Sequence, residues 1–289
     1  MTAGRAASIH ARLLNRAKTR GEDFNLLLTR YAIERFLYRL SRAPARDSLW
    51  LKGALLFDLW FDVPHRPTRD ADFLGFGPMD AESLEAALRE VCGIVADDGM
   101  DFDAGSITTE EIREDARYGG LRVRLQGRLG NARCPLQLDV GYGDAVTPGP
   151  EEAVYPTVLD DQPAPRLRVY PRATVVAEKL EAIVSLGMAN SRMKDYFDLR
   201  ALAREGEVAA GLLADAIAAT FTRRNTVLPP DMPLGLSDEF AKDPSKRAQW
   251  KAFLGRNRLD APTLDIVVIE VREFVGEPLG LALERMRRA

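Results

Sequence analysis

Two aspartates stand two residues apart in the stretch from Arg66 to Leu74, a spacing that can place two carboxylates at one divalent cation. If the stretch is a β-strand, Asp70 and Asp72 point to the same face, about 7 Å apart along the backbone. Carboxylates that close repel each other unless a cation lies between them. Oxygen ligands of this kind suit Mg²⁺, which commonly completes its coordination with substrate phosphates. An Asp-X-Asp sequence also occurs in solvated loops, so its interpretation depends on its neighbours.

An apolar run immediately before this stretch is interrupted by one glycine, Gly53. The pattern predicts a short buried strand over residues 48–52, followed by a helix over residues 54–61 that Gly53 opens. The first N–H groups of a helix have no partner within the helix, so they favour a bound anion. Lys52 adds a positive charge beside them. A tight turn that binds nothing is the alternative.

A third carboxylate lies on a later predicted strand. Residues 121–126 and 136–140 have the apolar pattern of strands, and Gly130-Asn131 between them predicts a hairpin turn. In the second strand, Asp139 points away from the apolar side chains, and a carboxylate at the centre of an apolar strand needs a partner. Asp139 is therefore the candidate third ligand of the same cation. The alternatives are an exposed edge position or a salt bridge to a neighbouring arginine.

Residues 143–171 are rich in proline, glycine and acidic residues and contain one predicted strand, residues 166–170. We therefore expect residues 1–172 to form a sheet-containing domain with N-terminal helices, and residues 173–289 to form a helical domain. The acidic segment over residues 97–103 is interpreted as solvated surface. Apolar periodicity predicts helices over 8–20, 24–41, a stretch capped by Asp80 that ends near 94, a stretch capped by Thr174 that ends near 188, a stretch containing 192–199, and then 207–223, 246–256 and 264–274.

The composition is that of an ordinary globular chain. Its 289 residues are 46% hydrophobic and 29% charged, and the formal net charge is −3, so any nucleic-acid contact must come from a local patch. Cys92 and Cys134 lack metal-ligand spacing and are interpreted as buried thiols in a reducing compartment. No apolar run approaches a membrane span, and the basic N-terminal residues lack the apolar region of a secretory signal. We expect a cytoplasmic monomer without membrane contact.

Two predicted helices of the second domain carry charges that have more than one interpretation. Lys179 borders the apolar stripe of the helix over residues 174–188, where a lysine either extends its ammonium group into water or points it at an enclosed anion. Arg192, Asp195 and Asp198 are three residues apart and share one face of the next helix. A solvated face of ion pairs is the simpler interpretation of that spacing.

Four short motifs follow one another along the chain, and the set is more specific than any one of them. They are Lys52-Gly53-Ala54, Arg66-X-Thr68-Arg69-Asp70-X-Asp72, Lys179-Leu180-X-Ala182 and Arg192-X-Lys194-Asp195-X-X-Asp198-Leu199. Together they resemble the AbiEii/AbiGii nucleotidyltransferase toxin family, which includes the MenT toxins, over roughly residues 45–275. The resemblance implies an α+β fold, in which a DNA polymerase β-like nucleotidyltransferase domain with a mixed sheet is followed by a helical domain. It also implies a toxin of a type IV toxin–antitoxin system, and some members transfer nucleotides to the 3′ end of tRNA.

The same resemblance implies roles for individual residues. Asp70 and Asp72 correspond to the metal-binding acids, Asp195 to a catalytic residue, and Lys179 to a catalytic or triphosphate-contacting cation. The implied nucleotide-binding residues are Lys52, Gly53, Ala54, Arg66, Thr68, Arg192, Lys194 and Asp198. The family usually has a hydroxyl-bearing residue near the glycine where this chain has Ala54, so phosphate binding would depend more on backbone N–H groups and the preceding lysine.

The combined pattern predicts an Mg²⁺-dependent nucleotidyltransferase with a two-metal site formed by Asp70, Asp72 and Asp139. It would transfer NMP from an NTP to an RNA end, such as the 3′ end of tRNA, or to a protein hydroxyl, and a cognate antitoxin would be its partner. Two other classes of protein remain open. One is a nucleotide- or RNA-binding protein without turnover, which Ala54 favours, and the other is a protein-interaction module. The sequence specifies neither the NTP nor the acceptor.

Overall fold

The structure, a computed structural model, describes residues 3–61, 65–77, 80–115, 118–205 and 208–288. The chain divides into two compact units. The first comprises Met1–Gly143 and Glu151–Val169, and the second comprises Asp144–Pro150 and Tyr170–Ala289. Compact units need not coincide with independently folding domains. The division into two domains after residue 172 therefore stays a prediction.

The first unit combines helices with one seven-stranded sheet. Its helices are α1 (Ala3–Arg20), α2 (Phe24–Leu40), α3 (Phe57–Trp60) and α4 (Ala81–Gly93), and 3₁₀ turns cover Pro44–Asp47 and Gly53–Leu56. Its strands are β1 (Leu49–Lys52), β2 (Asp70–Gly75), β3 (Met100–Asp115), β4 (Tyr118–Leu129), β5 (Ala132–Tyr142), β6 (Glu151–Val154) and β7 (Arg166–Val169). Asp80 caps α4 as predicted, because its side chain accepts a hydrogen bond from the N–H of Ser83.

The sheet is mixed, with strand order β3-β4-β5-β2-β1-β7-β6. β2 runs parallel to β5 and β1 runs parallel to β7, whereas the other neighbours are antiparallel. The prediction of a single strand within residues 143–171 is wrong, because β6 and β7 pair with each other there. The sequence of β6 gave no signal, since this edge strand is mostly exposed and lacks an alternating apolar pattern.

One face of the sheet carries the polar side chains near β2. Residues paired across neighbouring strands point to the same face, and two such rows cross β2, β5 and β4: Asp70–Gln137–Arg124 and Asp72–Asp139–Arg122. We call this surface the polar face, and its members are Asp70, Asp72, Arg122, Arg124, Gln126, Gln137 and Asp139. The alternate residues of β4, such as Leu121, Val123 and Leu125, are buried on the opposite face.

The prediction of a solvated acidic segment over residues 97–103 is wrong at Asp98. This residue is 1% exposed, and Arg39 of α2 donates hydrogen bonds to its two carboxylate oxygens at 2.6 and 3.0 Å. Asp101 and Asp103 are exposed, but they belong to β3, a strand that the sequence did not indicate. The guanidinium that compensates Asp98 is distant in sequence, which is why the local run of charges was misleading.

The second unit is helical, and no helix in the part of the chain that the structure describes is both long and apolar enough to cross a membrane. Its helices are α5 (Arg172–Leu186), α6 (Met193–Glu205), α7 (Ala210–Arg223), α8 (Asp238–Lys242), α9 (Pro244–Asn257) and α10 (Leu264–Arg288), with 3₁₀ turns at Gly187–Ala189 and Leu234–Leu236. α10 continues well past the predicted end at residue 274 and includes Pro278. Leu279 and Ala282 are buried, so packing offsets the cost of the proline.

The segment Asp144–Pro150 belongs to the second unit although it precedes β6. The guanidinium of Arg224 donates a hydrogen bond to Asp144 at 3.1 Å. Thr174 exchanges two hydrogen bonds with the backbone of Thr147, at 3.0 and 3.1 Å. The prediction that Thr174 caps α5 is wrong, since Pro171 occupies the capping position and the threonine hydroxyl binds this segment instead.

Candidate active site

Asp70 and Asp72 lie at the start of β2, the strand at the edge of the polar face that adjoins β1. β1 flanks them on one side and β5 on the other. Asp72 pairs in register with Lys52, the last residue of β1, which is 6% exposed. Both aspartates are partly exposed, so their carboxylates are reachable by a ligand while the strand backbone holds them in place.

Gly53 supports the Asp72 carboxylate directly. Its φ of +74° is a left-handed conformation that glycine adopts without the penalty of a Cβ. A Cβ added to Gly53 would lie 2.1 Å from Oδ2 of Asp72, so the carboxylate packs against the glycine backbone. The glycine opens a 3₁₀ turn rather than the regular α-helix that the sequence predicted over residues 54–61, and α-helical structure is confined to Phe57–Trp60.

Asp139 lies beside Asp72 on the neighbouring strand and is bound by Arg122. The guanidinium donates from Nε to Oδ1 at 2.8 Å and from Nη2 to Oδ2 at 2.7 Å. These hydrogen bonds raise the pKa of Arg122 above its usual value. The salt bridge considered as an alternative from the sequence is therefore present. A role of Asp139 as a metal ligand stays a prediction, and no group of three or more acidic, histidine or cysteine side chains in the described residues is arranged to hold a metal ion.

The donor set of Asp70 and Asp72 fits a hard divalent cation. Both side chains offer carboxylate oxygens from one face of one strand, and such oxygens are the ligands that Mg²⁺ prefers. The close approach of Gly53 leaves no side chain between Asp72 and the neighbouring backbone. The ligand chemistry at this point therefore agrees with the pair of metal-binding acids that the sequence predicts.

Other predicted nucleotide-binding residues of the first unit lie in the segments next to β2. Thr68 is partly buried, and its hydroxyl donates to the backbone carbonyl of Asp70 at 3.3 Å. Arg66 is partly buried in the segment that leads into β2, and Ala54 is the second residue of the 3₁₀ turn. The hydroxyl of Thr68 is thus held by the backbone of the acid-bearing strand.

Lys179 of α5 bridges two buried carboxylates of α6. Its ammonium group donates to Asp195 Oδ1 at 2.8 Å and to Asp198 Oδ2 at 2.7 Å. The Nε of Arg192 donates to Asp195 Oδ2 at 2.7 Å. Both aspartates are 0% exposed, so the simpler interpretation, a solvated face of ion pairs, does not hold for them, and the ammonium group does not simply extend into water. We call these four residues the helical charge cluster.

The neighbouring positive charges determine the ionisation of Asp195. Burial by itself would raise the pKa of Asp195, but the charges and hydrogen bonds of Lys179 and Arg192 lower it below its usual value. Asp195 therefore remains ionised inside the unit. Two positive and two negative groups balance there, which is the condition under which buried charges are tolerated.

Two residues that were not predicted from the sequence form hydrogen bonds next to the helical charge cluster. Asn190 is 0% exposed, and its side-chain oxygen accepts a hydrogen bond from the N–H of Arg192 at 2.8 Å. The ammonium group of Lys246 donates to the carbonyl of Asn190 at 3.0 Å. An asparagine side chain that accepts from the N–H two residues on is a local turn pattern, which could have identified Asn190. No local pattern indicates the contact of Lys246, which lies on α9, far along the chain.

The structure thus brings the predicted residues together within each unit. The first unit groups Lys52, Gly53, Ala54, Thr68, Asp70, Asp72 and Asp139 around the start of β2, with Arg66 in the segment before it. The second unit groups Lys179, Arg192, Asp195 and Asp198, while Lys194 is an exposed residue of α6.

Comparison with known sequences identifies the class of protein. Residues 35–275 match a family profile described as "Nucleotidyl transferase AbiEii toxin, Type IV TA system", so the protein is a nucleotidyltransferase. It belongs to the AbiEii toxin family of type IV toxin–antitoxin systems. The predicted family is confirmed. Membership implies an NTP substrate and an antitoxin partner. A search of curated protein sequences found no significant match.

Comparison with solved structures supports the fold. JHP933 from Helicobacter pylori superposes with a TM-score of 0.51 and 16% sequence identity, covering 91% of this chain and 95% of that chain. A second crystal structure, described as "putative nucleotidyltransferase from H. pylori", has a TM-score of 0.46 and 17% identity, covering 91% of this chain and 96% of that one. At such low identity, the likeness to JHP933 concerns the fold alone. The predicted α+β fold with a mixed sheet is confirmed.

Proposed function

We propose that this protein is an Mg²⁺-dependent enzyme that transfers NMP from an NTP to the 3′ end of an RNA, with tRNA as the acceptor. The observation that carries the proposal is the arrangement of Asp70 and Asp72, two carboxylates on one strand face, with Asp72 packed against the backbone of Gly53. A protein hydroxyl is the alternative acceptor. We also propose that the enzyme acts as a cytoplasmic monomer. Its two cysteines, which form no disulfide, support the cytoplasmic location.

Asp70 and Asp72 would hold the metal, and Asp139 would complete the site or orient it from the adjacent strand. When bound, Mg²⁺ supplies charge neutralisation for the triphosphate and lowers the pKa of an attacking hydroxyl. Arg122 keeps the Asp139 carboxylate in one orientation through its two hydrogen bonds. Side chains fixed in this way need little reorganisation during the reaction, which is the main contribution of a protein to phosphoryl chemistry.

The residues before β2 would bind the phosphates of the NTP. The backbone N–H groups at the start of the 3₁₀ turn Gly53–Leu56 would contact a phosphate, with Lys52 and Ala54 on either side of Gly53. Arg66 and the hydroxyl of Thr68 would contribute further contacts. In the second unit, Lys179 and Asp195 would have the catalytic roles implied by the family, with Arg192, Lys194 and Asp198 in support.

The proposed reaction is a single displacement at the α-phosphorus of the NTP. The 3′ oxygen of the acceptor forms a bond to the α-phosphorus of the NTP, and the bond from this phosphorus to the oxygen that bridges to the β-phosphate breaks. Pyrophosphate leaves with the electron pair of that bond. A carboxylate oxygen of Asp70 accepts the hydroxyl proton and passes it to water.

A second candidate function, nucleotide or RNA binding without turnover, has the missing hydroxyl at Ala54 as its support. Incubation of the purified protein with labelled NTPs, Mg²⁺ and total tRNA separates the two functions. Label transfer that is lost in Asp70→Ala and in Lys179→Ala supports the enzyme, whereas NTP binding without transfer supports the second candidate. Asp101→Ala and Lys251→Ala, which change exposed residues of the same types, are the matched controls. The absence of both binding and transfer would favour a protein-interaction module.

A further inference from the structure

A cavity of about 430 Å³ opens on the polar face of the sheet beside Asp70. Its polar lining consists of Arg69, Asp70, Ser106, Arg124, Gln126 and Gln137. We call it the side pocket. Its volume lies within the range of pockets that hold small ligands. None of the nucleotide-binding residues predicted from the sequence lines it.

Strand order places the side pocket away from the phosphate-binding turn. Gly53 approaches Asp72 from β1, whereas Gln137 and Arg124 extend from Asp70 across β5 and β4. β1 and β5 are the two neighbours of β2 and lie on opposite sides of it. Neighbouring strands are about 4.8 Å apart, so the backbone of Arg124 on β4 lies about 10 Å from the backbone of β2. A ligand in the side pocket would therefore reach Asp70 from the side opposite the NTP phosphates.

The chemistry of the lining favours a phosphodiester. Arg69 and Arg124 supply two guanidinium groups, and guanidinium binds phosphate oxygens with paired hydrogen bonds. Gln126 and Gln137 add amide groups of the kind that bond base edges. A single carboxylate, that of Asp70, lines the same cavity, so the positive groups outnumber the negative ones. A chain with a net charge of −3 needs such a local group of cations to bind nucleic acid, and here the excess of positive charge arises when Arg124 leaves Glu110, its partner outside the lining.

Glu110 controls the availability of Arg124. The carboxylate accepts a hydrogen bond from Nη2 of Arg124 at 2.8 Å, and this bond lowers the pKa of Glu110. The two side chains are 51% and 49% exposed, so water screens their attraction. A phosphate that enters the side pocket can therefore displace Glu110 from Arg124 at small cost.

We propose that the side pocket is the acceptor subsite and that it binds the terminal phosphodiester of a single-stranded nucleic acid, whose 3′ hydroxyl then lies at Asp70. The inference rests on the proposed function and selects an RNA end over a protein hydroxyl as the acceptor. A serine or tyrosine side chain brings no anion for the two guanidinium groups. A protein acceptor would need acidic residues beside its hydroxyl, which makes an acidic peptide the competing ligand in the test.

The test compares Arg124→Gln with Arg128→Gln. Arg128 is an exposed arginine on the same face of the same strand that does not line the side pocket. Binding of a short single-stranded RNA is measured by fluorescence anisotropy without NTP, and NTP binding is measured separately. Arg124→Gln is expected to weaken RNA binding about tenfold, to reduce its salt dependence by about one phosphate contact, and to leave NTP binding unchanged. Glu110→Gln is expected to tighten RNA binding about threefold, because it releases Arg124.

The outcomes separate the side pocket from the proposed function. Equal RNA affinity of Arg124→Gln and Arg128→Gln would overturn the inference even if label transfer to tRNA occurs. RNA binding that depends on Arg124 in a protein that transfers no label would support the side pocket and overturn the proposed function. An acidic peptide that binds more tightly than RNA, and does so through Arg124, would replace the RNA acceptor with a protein. If the wild-type protein neither binds RNA nor transfers label, both the acceptor role of the side pocket and the proposed function are overturned.

Discussion

The carboxylate of Asp72 packs against the backbone of Gly53, so closely that a methyl group on the glycine would lie 2.1 Å from Oδ2. One acid of the predicted metal pair therefore owes its position to a residue that has no side chain. The contact joins the phosphate-binding turn to the acid-bearing strand. A change in either residue should move the other.

Replacing Gly53 with alanine should displace Asp72 and lower nucleotide transfer by about a hundredfold or more, since misplacement by about 1 Å is that costly to catalysis. Gly21→Ala is the matched control, because Gly21 has a similar φ of +66° but no atom within 4 Å of an added Cβ. Transfer rates and thermal unfolding of both variants are the measurements. Full transfer activity of Gly53→Ala would contradict the proposed role of this contact.

Changing Asp139 to asparagine should raise the Mg²⁺ concentration for half-maximal transfer about tenfold, the usual effect of altering a ligand or its orienting partner. The reason is its position beside Asp72, where Arg122 fixes the carboxylate. A titration of transfer rate against Mg²⁺ measures this shift, and Asp101→Asn serves as the control. An unchanged midpoint would remove Asp139 from the metal site.

Removing the charge of Lys179 should destabilise the protein as well as inactivate it. Lys179→Met leaves Asp195 and Asp198 buried with less compensation, and breaking such a buried pair lowers the free energy of unfolding by about 3 kcal/mol. Urea unfolding measures the loss, and Lys251→Met, at an exposed lysine of α9, should change it by less than about 0.5 kcal/mol.

A second variant separates this loss of stability from catalysis. The double variant Lys179→Met with Asp198→Asn should recover part of the lost stability. In this variant, Asp195 is the only one of the two carboxylates that remains charged without the ammonium group. It should not recover label transfer. Recovery of both properties would show that Lys179 serves the fold alone.

The pH dependence of stability should reveal a buried glutamate. Burial raises the pKa of Glu34 to about 7, although the charge of Arg35 and a hydrogen bond from the N–H of Val158 oppose the rise. The folded protein then binds more protons than the unfolded chain between about pH 4.5 and about 7. The free energy of unfolding should fall as the pH rises across this window, by up to about 3 kcal/mol. Above about pH 7, Glu34 should cause no further change.

Urea unfolding at a series of pH values tests this expectation. Glu34→Gln should remove the fall in stability between about pH 4.5 and about 7, whereas Glu90→Gln, at an exposed glutamate of α4, should retain it. The same slope in both variants would assign the pH dependence to other groups.

The sequence contains more of the site than its motifs suggest. A two-residue turn at Gly130-Asn131 fixes the register of its hairpin. Counting outward from that turn pairs Arg122 with Asp139, which is the pairing in the structure. The salt bridge that holds the third acid was therefore available from local information, although the sequence analysis did not select one arginine.

Other features depend on contacts between distant parts of the chain, and local patterns could not reveal them. Asp98 is buried because Arg39 of α2 neutralises it, and Asn190 is held by Lys246 of α9. The side pocket likewise combines residues from the segment before β2 with residues of β3, β4 and β5. The hydrophobic pattern of each strand predicts its buried face, but it does not identify the side chains that meet on the polar one.

The chain passes between the two units more than once, and this affects both its synthesis and the design of truncated proteins. The polypeptide leaves the sheet-containing unit after Gly143, returns at Glu151 and leaves again after Val169. During synthesis, Asp144 emerges from the ribosome well before Arg224, the residue that binds it. A nascent chain therefore carries this segment without its partner until most of the helices have been translated. No single cut separates the two units so that each keeps all of its parts, because a chain that ends at Val169 retains Asp144–Pro150, a segment of the second unit. The protein is therefore expected to behave as one genetic module.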